Sequence, residues 1–315
     1  MLVSPLQYFP ISSKPFEFRT GLRVIKPGSN AKDIIFQIDT EWQRYRKAKM
    51  TARTERLDKY VCSHHLSSAA ESHATSYILN QLTHEYPEHF VFTDLQNGAT
   101  LHCRLSGEQL QFDQSLRLIN NNRYQNALDA LCSHVQEDIA IIERPKQEDF
   151  ISYLHLCLPN HWAAEDKIGQ SFIDAHVPVP EMDKINQQAS KLIESLIHKG
   201  SYERFTWGIA TDMRLNHHPI APDGIDQDEW HGRRFNHDKP ELYLRIERQT
   251  TTGLPEVSAF IFTIRTYHRP VMNLTRDELS ILKHAILTMP DTVKAYKGLD
   301  NQSDDICEYL DQLLT

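Results

Sequence analysis

A histidine followed closely by prolines is the feature of this sequence with the clearest chemical potential. His176 lies in the run PNHWAAEDKIGQSFIDAHVPVP, residues 159–180. Pro178 and Pro180 cannot donate helix hydrogen bonds, and a proline disfavours helical backbone in the residue before it. We therefore predict that a short helix ends near His176 and that Val177 leaves the helical region. Since the end of a helix favours a cation or a metal bound to imidazole, His176 is either a metal or haem ligand or a cap for the last carbonyls.

A charged strand is the second candidate. The run LRIERQ at residues 244–249 alternates, so one face is polar and the other carries an arginine among apolar side chains. The polar set is Arg245, Glu247 and Gln249, and the other set is Leu244, Ile246 and Arg248. A guanidinium facing a core or a pocket needs a carboxylate or a polar ligand. Arg248 is therefore either a salt-bridge partner or a ligand-binding residue.

Other patterns carry weaker chemical signals. Several histidines and acids lie between residues 217 and 238, namely His217, His218, Asp226, Asp228, His231, His237 and Asp238. Their spacing matches no standard zinc pattern, so we interpret them as a solvated polar loop, with metal binding as the alternative. The five cysteines are widely spaced and form no CxxC, which argues against an iron–sulfur cluster held by this chain. No nucleophile elbow, Walker loop or GxGxxG occurs.

Periodicity predicts the elements that position these residues. We predict a helix over residues 30–59 with Ile34, Ile35 and Ile38 on one face, and a helix capped by Ser68 and Glu71. Further helices are predicted over residues 124–135 and 185–198, from Thr275, and over 306–313. Strands are predicted over 90–93 and 100–105, joined by a turn at Asn97 and Gly98, and over 139–142, 153–158 and 205–209. Residues 241–250 and 258–268 are predicted to form a long hairpin.

This order predicts an α+β fold with an antiparallel sheet and helices gathered on one side. We predict an N-terminal helical region with a β-hairpin over residues 1–135, a core over 136–270 and C-terminal helices over 271–315, together forming one compact unit. The strand 259–264 is apolar on both faces and is predicted to lie in the sheet interior, where it could wall a cofactor pocket.

Composition limits the class of protein. The chain has 315 residues, 40% hydrophobic and 24% charged, which is typical of a soluble folded protein. Its formal charge of -8 argues against a nucleic-acid binder. The sequence shows neither a signal peptide nor a long apolar run, so we expect a cytoplasmic protein without a membrane partner.

Taken together, these stretches resemble the α-subunit family of haem-dependent oxidative N-demethylases. The strongest parts are W…KxGxxxxxxHxPVP, which contains His176, and LRxERQT…LP…FTIRTY, which contains Arg248. Shorter matches lie at residues 15–25 (PFEFRTGLRVI), Asp39, Tyr86 and Pro87, Gln136 to Asp138, and Trp207.

The resemblance implies a PAS-like fold that binds haem b, with His176 as the axial iron ligand. It implies catalytic roles for Arg248, Glu247 and Gln249, and cofactor contacts from Arg245, Trp207, Lys167 and Arg265. The implied reaction is oxygen-dependent N-demethylation of a small secondary amine, similar to dimethylamine. Electrons would come from reductase subunits, and any flavin, iron–sulfur centre or tetrahydrofolate would be held by those partners. The alternatives are a haem-PAS gas or redox sensor without turnover, and a scaffold that has lost haem.

Overall fold

The computed structural model describes residues 2–18, 20–26, 33–119, 121–232 and 234–315. In these ranges the chain is α+β, as predicted, with one sheet of seven strands and one of four, both antiparallel. The strands are β1 (Arg23–Val24), β2 (Val61–Ser63), β3 (Phe90–Leu95), β4 (Gly98–Cys103), β5 (Glu108–Phe112), β6 (Leu118–Ile119), β7 (Asp138–Glu143), β8 (Phe150–His155), β9 (Ser201–Ala210), β10 (Tyr243–Leu254) and β11 (Ala259–Pro270). The large sheet has the order β1-β9-β10-β11-β7-β8-β2, and the small one β3-β4-β5-β6.

Twelve α-helices surround these sheets in the described ranges. They are α1 (Trp42–Glu55), α2 (Leu57–Tyr60), α3 (Ser68–Glu85), α4 (Ala127–Cys132), α5 (Ala164–Lys167), α6 (Phe172–His176), α7 (Asp183–Asn186), α8 (Ala189–His198), α9 (Gln227–His231), α10 (Arg276–Leu287), α11 (Asp291–Tyr296) and α12 (Ser303–Leu314). No helix in the described part of the chain is long and apolar enough to cross a membrane.

The long β10–β11 hairpin forms the centre of the large sheet, and helices pack on both of its faces. Ile193 and Leu196 of α8 pack with Phe260 of β11 on one face. On the other face, Leu282 of α10 packs with Ile246 of β10. The helices α5, α6 and α8 thus lie on one side of the sheet and the C-terminal helices on the other, so the prediction that the helices gather on one side is wrong.

Most predicted elements are confirmed, including the long hairpin, the helix that ends at His176 and the turn at Asn97 and Gly98. The capping box of Thr275 and Glu278 is also present. Three details differ. Ser67, and not Ser68, caps α3 by accepting from the Ala70 N–H. Val177 keeps helical backbone angles, so the helix ends without the change that Pro178 was expected to impose. The strands β1, β2, β5 and β6 were not predicted.

The predicted helix over 30–59 is wrong in its first half. Residues 30–32 lie outside the described ranges, and α1 begins only at Trp42. The segment 33–39 is irregular because distant side chains take its backbone N–H groups. The Glu85 carboxylate accepts from Ile35 and Phe36, at 2.9 and 3.3 Å. A backbone held in this way does not need a helix to satisfy its donors.

Glu85 should make stability depend on pH. Burial raises its pKa from 4.5 to about 7, although the N–H groups of Ile35 and Phe36 oppose this effect. Between these two values the folded state keeps a proton that the unfolded state has lost, so stability falls as pH rises. The free energy of unfolding of the wild type should therefore fall by on the order of 2 kcal/mol relative to Glu85→Gln over this range. Urea titrations at pH 4.5 and 7.5 measure the difference, and a constant difference would contradict it.

Gly253 lets α8 approach β10 closely. A Cβ built on Gly253 would lie 2.0 Å from the Ile197 carbonyl oxygen, whereas one built on Gly208 would meet no atom within 4 Å. Because the clash involves backbone, Gly253→Ala should lower the free energy of unfolding by about 3 kcal/mol. The control Gly208→Ala should change it by less than about 0.5 kcal/mol. Equal effects of the two substitutions in urea titrations would contradict this packing.

Candidate functional site

His176 is the last residue of α6 and lies beside the sheet. Its ring contacts the Phe172 ring, with the ring centres 4.3 Å apart. Phe172 in turn packs into the apolar cluster formed by α8 and the neighbouring face of the sheet, which includes Phe260 and Phe262. We call this the His176 face of the sheet. On it lie Tyr202, Arg204, Thr206, Arg245, Glu247, Gln249, Phe262, Ile264, Thr266 and His268.

A short hydrogen bond fixes the tautomer of the His176 ring. Nδ1 lies 2.7 Å from the Phe172 carbonyl oxygen, which can only accept, so Nδ1 carries the hydrogen. Nε2 then has a lone pair, and it makes no hydrogen bond with any described residue. Burial lowers the pKa of His176, and the charges of Arg204 and Lys167 lower it further. The hydrogen bond to the Phe172 carbonyl acts in the opposite direction but is outweighed. The ring is therefore neutral with Nε2 available, as a metal-binding histidine requires.

The His176 face of β11 is not fully covered, although β11 lies between β10 and β7 in the sheet. Ile261, Thr263 and Arg265 on its opposite face are buried, whereas Phe262 and Ile264 remain partly exposed. A central strand that is accessible from one side forms the floor of a recess. The floor is apolar at these two positions, which suits a flat apolar ligand.

A connected polar row runs along β10 on the same face. Arg245 and Gln249 donate to different oxygens of the Glu247 carboxylate, the latter at 2.9 Å. Arg245 also donates to the Thr266 hydroxyl, at 3.1 Å. Burial would raise the pKa of Glu247. The Arg245 charge and the hydrogen bonds from Arg245 and Gln249 outweigh burial, so the pKa is lowered, and the charge of Lys297 adds to this effect. Glu247 is therefore a buried carboxylate, held ionised.

Arg204 was not predicted, yet it is the most unusual charge at this site. It lies on the His176 face of β9, in register with Gln249. Its Nε is buried, and no described residue forms a hydrogen bond or an ion pair with its guanidinium. Burial lowers its pKa, while the charges of Glu247 and Tyr296 act in the opposite direction. A largely buried guanidinium without a partner needs an anionic ligand.

Lys167 approaches His176 from α5. Its Nζ donates to the Ala175 carbonyl at 2.7 Å, one residue before His176. Burial lowers the pKa of Lys167. The structure therefore brings five of the predicted site residues to one face: His176, Lys167, Arg245, Glu247 and Gln249.

The other three predicted site residues lie on the opposite face. Arg248 is fully buried and donates to Glu203 at 2.8 Å and to the carbonyls of Ile34 and Ile35. The sequence left Arg248 as either a salt-bridge partner or a ligand-binding residue, and these contacts match the salt-bridge interpretation. Arg265 donates to Asp39 at 2.9 Å.

Trp207 also points away from His176. It packs edge-on against the Phe16 ring, with 6.2 Å between ring centres. The Lys297 ammonium lies 5.3 Å from the Trp207 ring centre. The roles that the resemblance implies for Trp207, Arg248 and Arg265 stay predictions, and none of the three side chains lies on the His176 face.

The loop between residues 217 and 238 was predicted to be solvated, which is wrong for His217 and His218, because both are buried. His217 Nε2 lies 3.0 Å from the Asp212 carboxylate, and the His161 ring lies 5.3 Å from the rings of both His217 and His231. Across the described ranges, no group of three histidine, cysteine, aspartate or glutamate side chains is placed to hold a metal ion. A metal at the His176 face would therefore enter with its own cofactor.

The sequence comparison agrees with this geometry. The family model described as haem-dependent oxidative N-demethylase, alpha subunit-like, matches residues 28–307, which is most of the chain. The chain belongs to this family. The family name describes an alpha subunit and haem-dependent oxidative N-demethylation, and this general description applies to the chain.

The residues of this N-demethylase-like chain fit the haem that the family name implies. His176 offers a neutral Nε2, and Phe262 and Ile264 offer an apolar floor. Arg204, whose buried Nε has no hydrogen-bond partner in the described part of the chain, suits the carboxylates of a haem. One cation, one imidazole ligand and an apolar surface on one face are the contacts that an anionic macrocycle containing iron requires.

Proposed function

We propose that this chain binds haem b on the His176 face, within a PAS-like core, with His176 as the iron ligand. We further propose that it catalyses oxygen-dependent N-demethylation of a small secondary amine. The observation that carries the proposal is the His176 ring, whose Nδ1 donates to the Phe172 carbonyl while Nε2 is available near Arg204, a guanidinium with no partner among the described residues. Family membership supports the general activity.

When bound, the haem would supply the one-electron and oxygen chemistry that no side chain can provide. The chain's own residues would bind and orient the reactants. Glu247 is ionised and buried, so its carboxylate can accept a hydrogen bond from the amine N–H. Arg245 and Gln249 hold that carboxylate in place from its two sides. The row therefore provides a fixed anionic contact for an amine rather than a mobile one.

The proposed reaction balances only with electrons from outside the chain. One secondary amine, one dioxygen, two electrons and two protons give a primary amine, an aldehyde and water. The amine is oxidised to an imine, which water cleaves, and dioxygen is the oxidant. We propose that reductase subunits supply the electrons, since an alpha subunit implies others. Flavin, an iron–sulfur centre and tetrahydrofolate would then belong to those partners.

Aldehyde formation tests this function. Haem-loaded protein receives electrons from a photoreduced flavin in air, and formaldehyde is measured with and without dimethylamine. The proposal predicts formaldehyde that requires dimethylamine, dioxygen, electrons and the haem-loaded protein together. Glu247→Gln should lower its rate at least about 10-fold, because a neutral amide is a weaker acceptor for the amine. A haem spectrum that responds to gaseous ligands with no aldehyde in any arm would favour the sensor alternative.

A further inference from the structure

A segment that follows β9 lies near the polar row of the His176 face, at one end of the sheet. The segment 211–218 leaves β9 after Ala210 and reaches the residues that follow β8. There the His217 N–H donates to the Pro159 carbonyl, and the His161 N–H donates to the His217 carbonyl, both at 2.9 Å. The segment thus crosses the end of the sheet and carries the pair of Asp212 and His217 over it.

His268 lies at this end of the sheet, on the His176 face of β11 and in register with Arg245. Both of its ring nitrogens are buried, and neither has a hydrogen-bond partner among the described residues. Buried polar atoms without a protein partner are normally satisfied by water or a ligand. An imidazole with both nitrogens so placed can accept a hydrogen bond at one side and donate at the other.

His217 lies on the segment that crosses this end of the sheet, near enough to oppose protonation of His268. Its Nε2 contacts Asp212 at 3.0 Å, while its buried Nδ1 has no partner in the described chain. The side chain is only 2% exposed. Asp212 also lines a surface cavity of about 270 Å³, together with Thr211, Asp228, His231 and Gly232. Asp212 therefore joins the outer cavity to a buried imidazole.

Burial lowers the pKa of His268, so the ring is neutral at rest, and the nearby charges add to this effect. Arg245 and Arg44 are positive neighbours, His217 is a third group that opposes protonation, and Asp212 is the acid that favours it. A proton that arrives at one nitrogen is therefore not retained, and the opposite nitrogen releases one. One N–H bond forms as another breaks, so the ring returns to its neutral state as the other tautomer.

We propose that Asp212, His217 and His268 form a proton path from the surface cavity to the Arg245 and Glu247 row, completed by water at the ring nitrogens that no described residue engages. The path ends beside the carboxylate that we place next to the amine. Each proposed turnover consumes two protons, which the path would deliver. That use rests on the proposed function, whereas the existence of the path does not.

Hydrogen exchange at the imidazole rings tests the path without turnover. In ¹⁵N-histidine-labelled protein, the ring N–H of His268 should exchange with water at least about 10-fold faster than that of His155, which is fully buried in the core. His217→Phe should slow His268 to the rate of His155 and leave His155 unchanged. The matched control His218→Phe removes the next histidine, whose ring packs on Tyr60, and should have no effect on His268.

The outcomes separate the path from the function. The path would be overturned if the His268 ring N–H of the wild type exchanged as slowly as that of His155. It would also be overturned if His217→Phe left the exchange rate of His268 unchanged. If His217→Phe does not fold, Asp212→Asn provides the same test, because the amide cannot pass a proton on as the carboxylate can. Rapid exchange in a protein that forms no formaldehyde would refute the proposed function and leave the path standing. In a protein that turns over, His268→Gln should lower the rate and alter its solvent isotope effect, with haem binding unchanged.

Discussion

Arg204→Gln should weaken haem binding at least about 10-fold while leaving the haem-free protein no less stable. The Arg204 side chain has no hydrogen-bond or ion-pair partner among the described residues, and burial lowers its pKa. The haem-free protein therefore bears the cost of a desolvated cation, and removing the charge should raise the free energy of unfolding by roughly 1 kcal/mol. With haem bound, the same substitution removes the contact to a carboxylate.

Two measurements check the Arg204 prediction. Haem titration followed by absorbance gives the affinity, and urea denaturation of the haem-free protein gives the free energy of unfolding. The opposite signs of the two effects distinguish a ligand-binding arginine from a structural one. A variant that binds haem as the wild type does, or that is destabilised by several kcal/mol, would contradict the role of Arg204.

Arg248→Gln should have the reverse pattern and is the matched substitution on the opposite face. Arg248 is fully buried and donates to Glu203 and to the carbonyls of Ile34 and Ile35. Without the guanidinium, the buried Glu203 carboxylate has fewer partners and the Ile34 and Ile35 carbonyls lose their donor. We expect the free energy of unfolding to fall by about 3–5 kcal/mol.

Haem affinity should change little in Arg248→Gln under conditions where the variant is folded. Near-ultraviolet circular dichroism establishes that condition before the haem titration. Strong loss of haem affinity with little loss of stability would instead support the catalytic or cofactor role that the sequence resemblance implied for Arg248.

The β10–β11 pair shows what the sequence can predict about this site. Alternation along LRIERQ correctly separated Glu247 and Gln249 from Arg248, because a strand has a side-chain period of two whatever surrounds it. The missing N–H groups of Pro178 and Pro180 likewise predicted that a helix would end near His176, although Val177 keeps helical backbone angles. These features depend on residues next to one another in the chain.

The features that could not be predicted depend on residues far apart in the chain. Ile34, Ile35 and Ile38 have helical spacing, but side chains such as Glu85 engage the backbone there. Arg204 lay one residue outside the predicted strand 205–209, so its face was not assigned. Had that strand been extended to its true start at Ser201, alternation would have placed Arg204 beside Thr206.

The most direct test of a haem held by His176 is the absorption spectrum of protein expressed with added haem, oxidised and then reduced under carbon monoxide. Wild type and His176→Ala are compared, and His198→Ala, which removes an exposed histidine at the end of α8, is the control. We predict a Soret band that shifts with carbon monoxide in wild type and control, and that is lost or altered in His176→Ala. No Soret band in the wild type, or an identical spectrum and affinity in His176→Ala, would contradict the account.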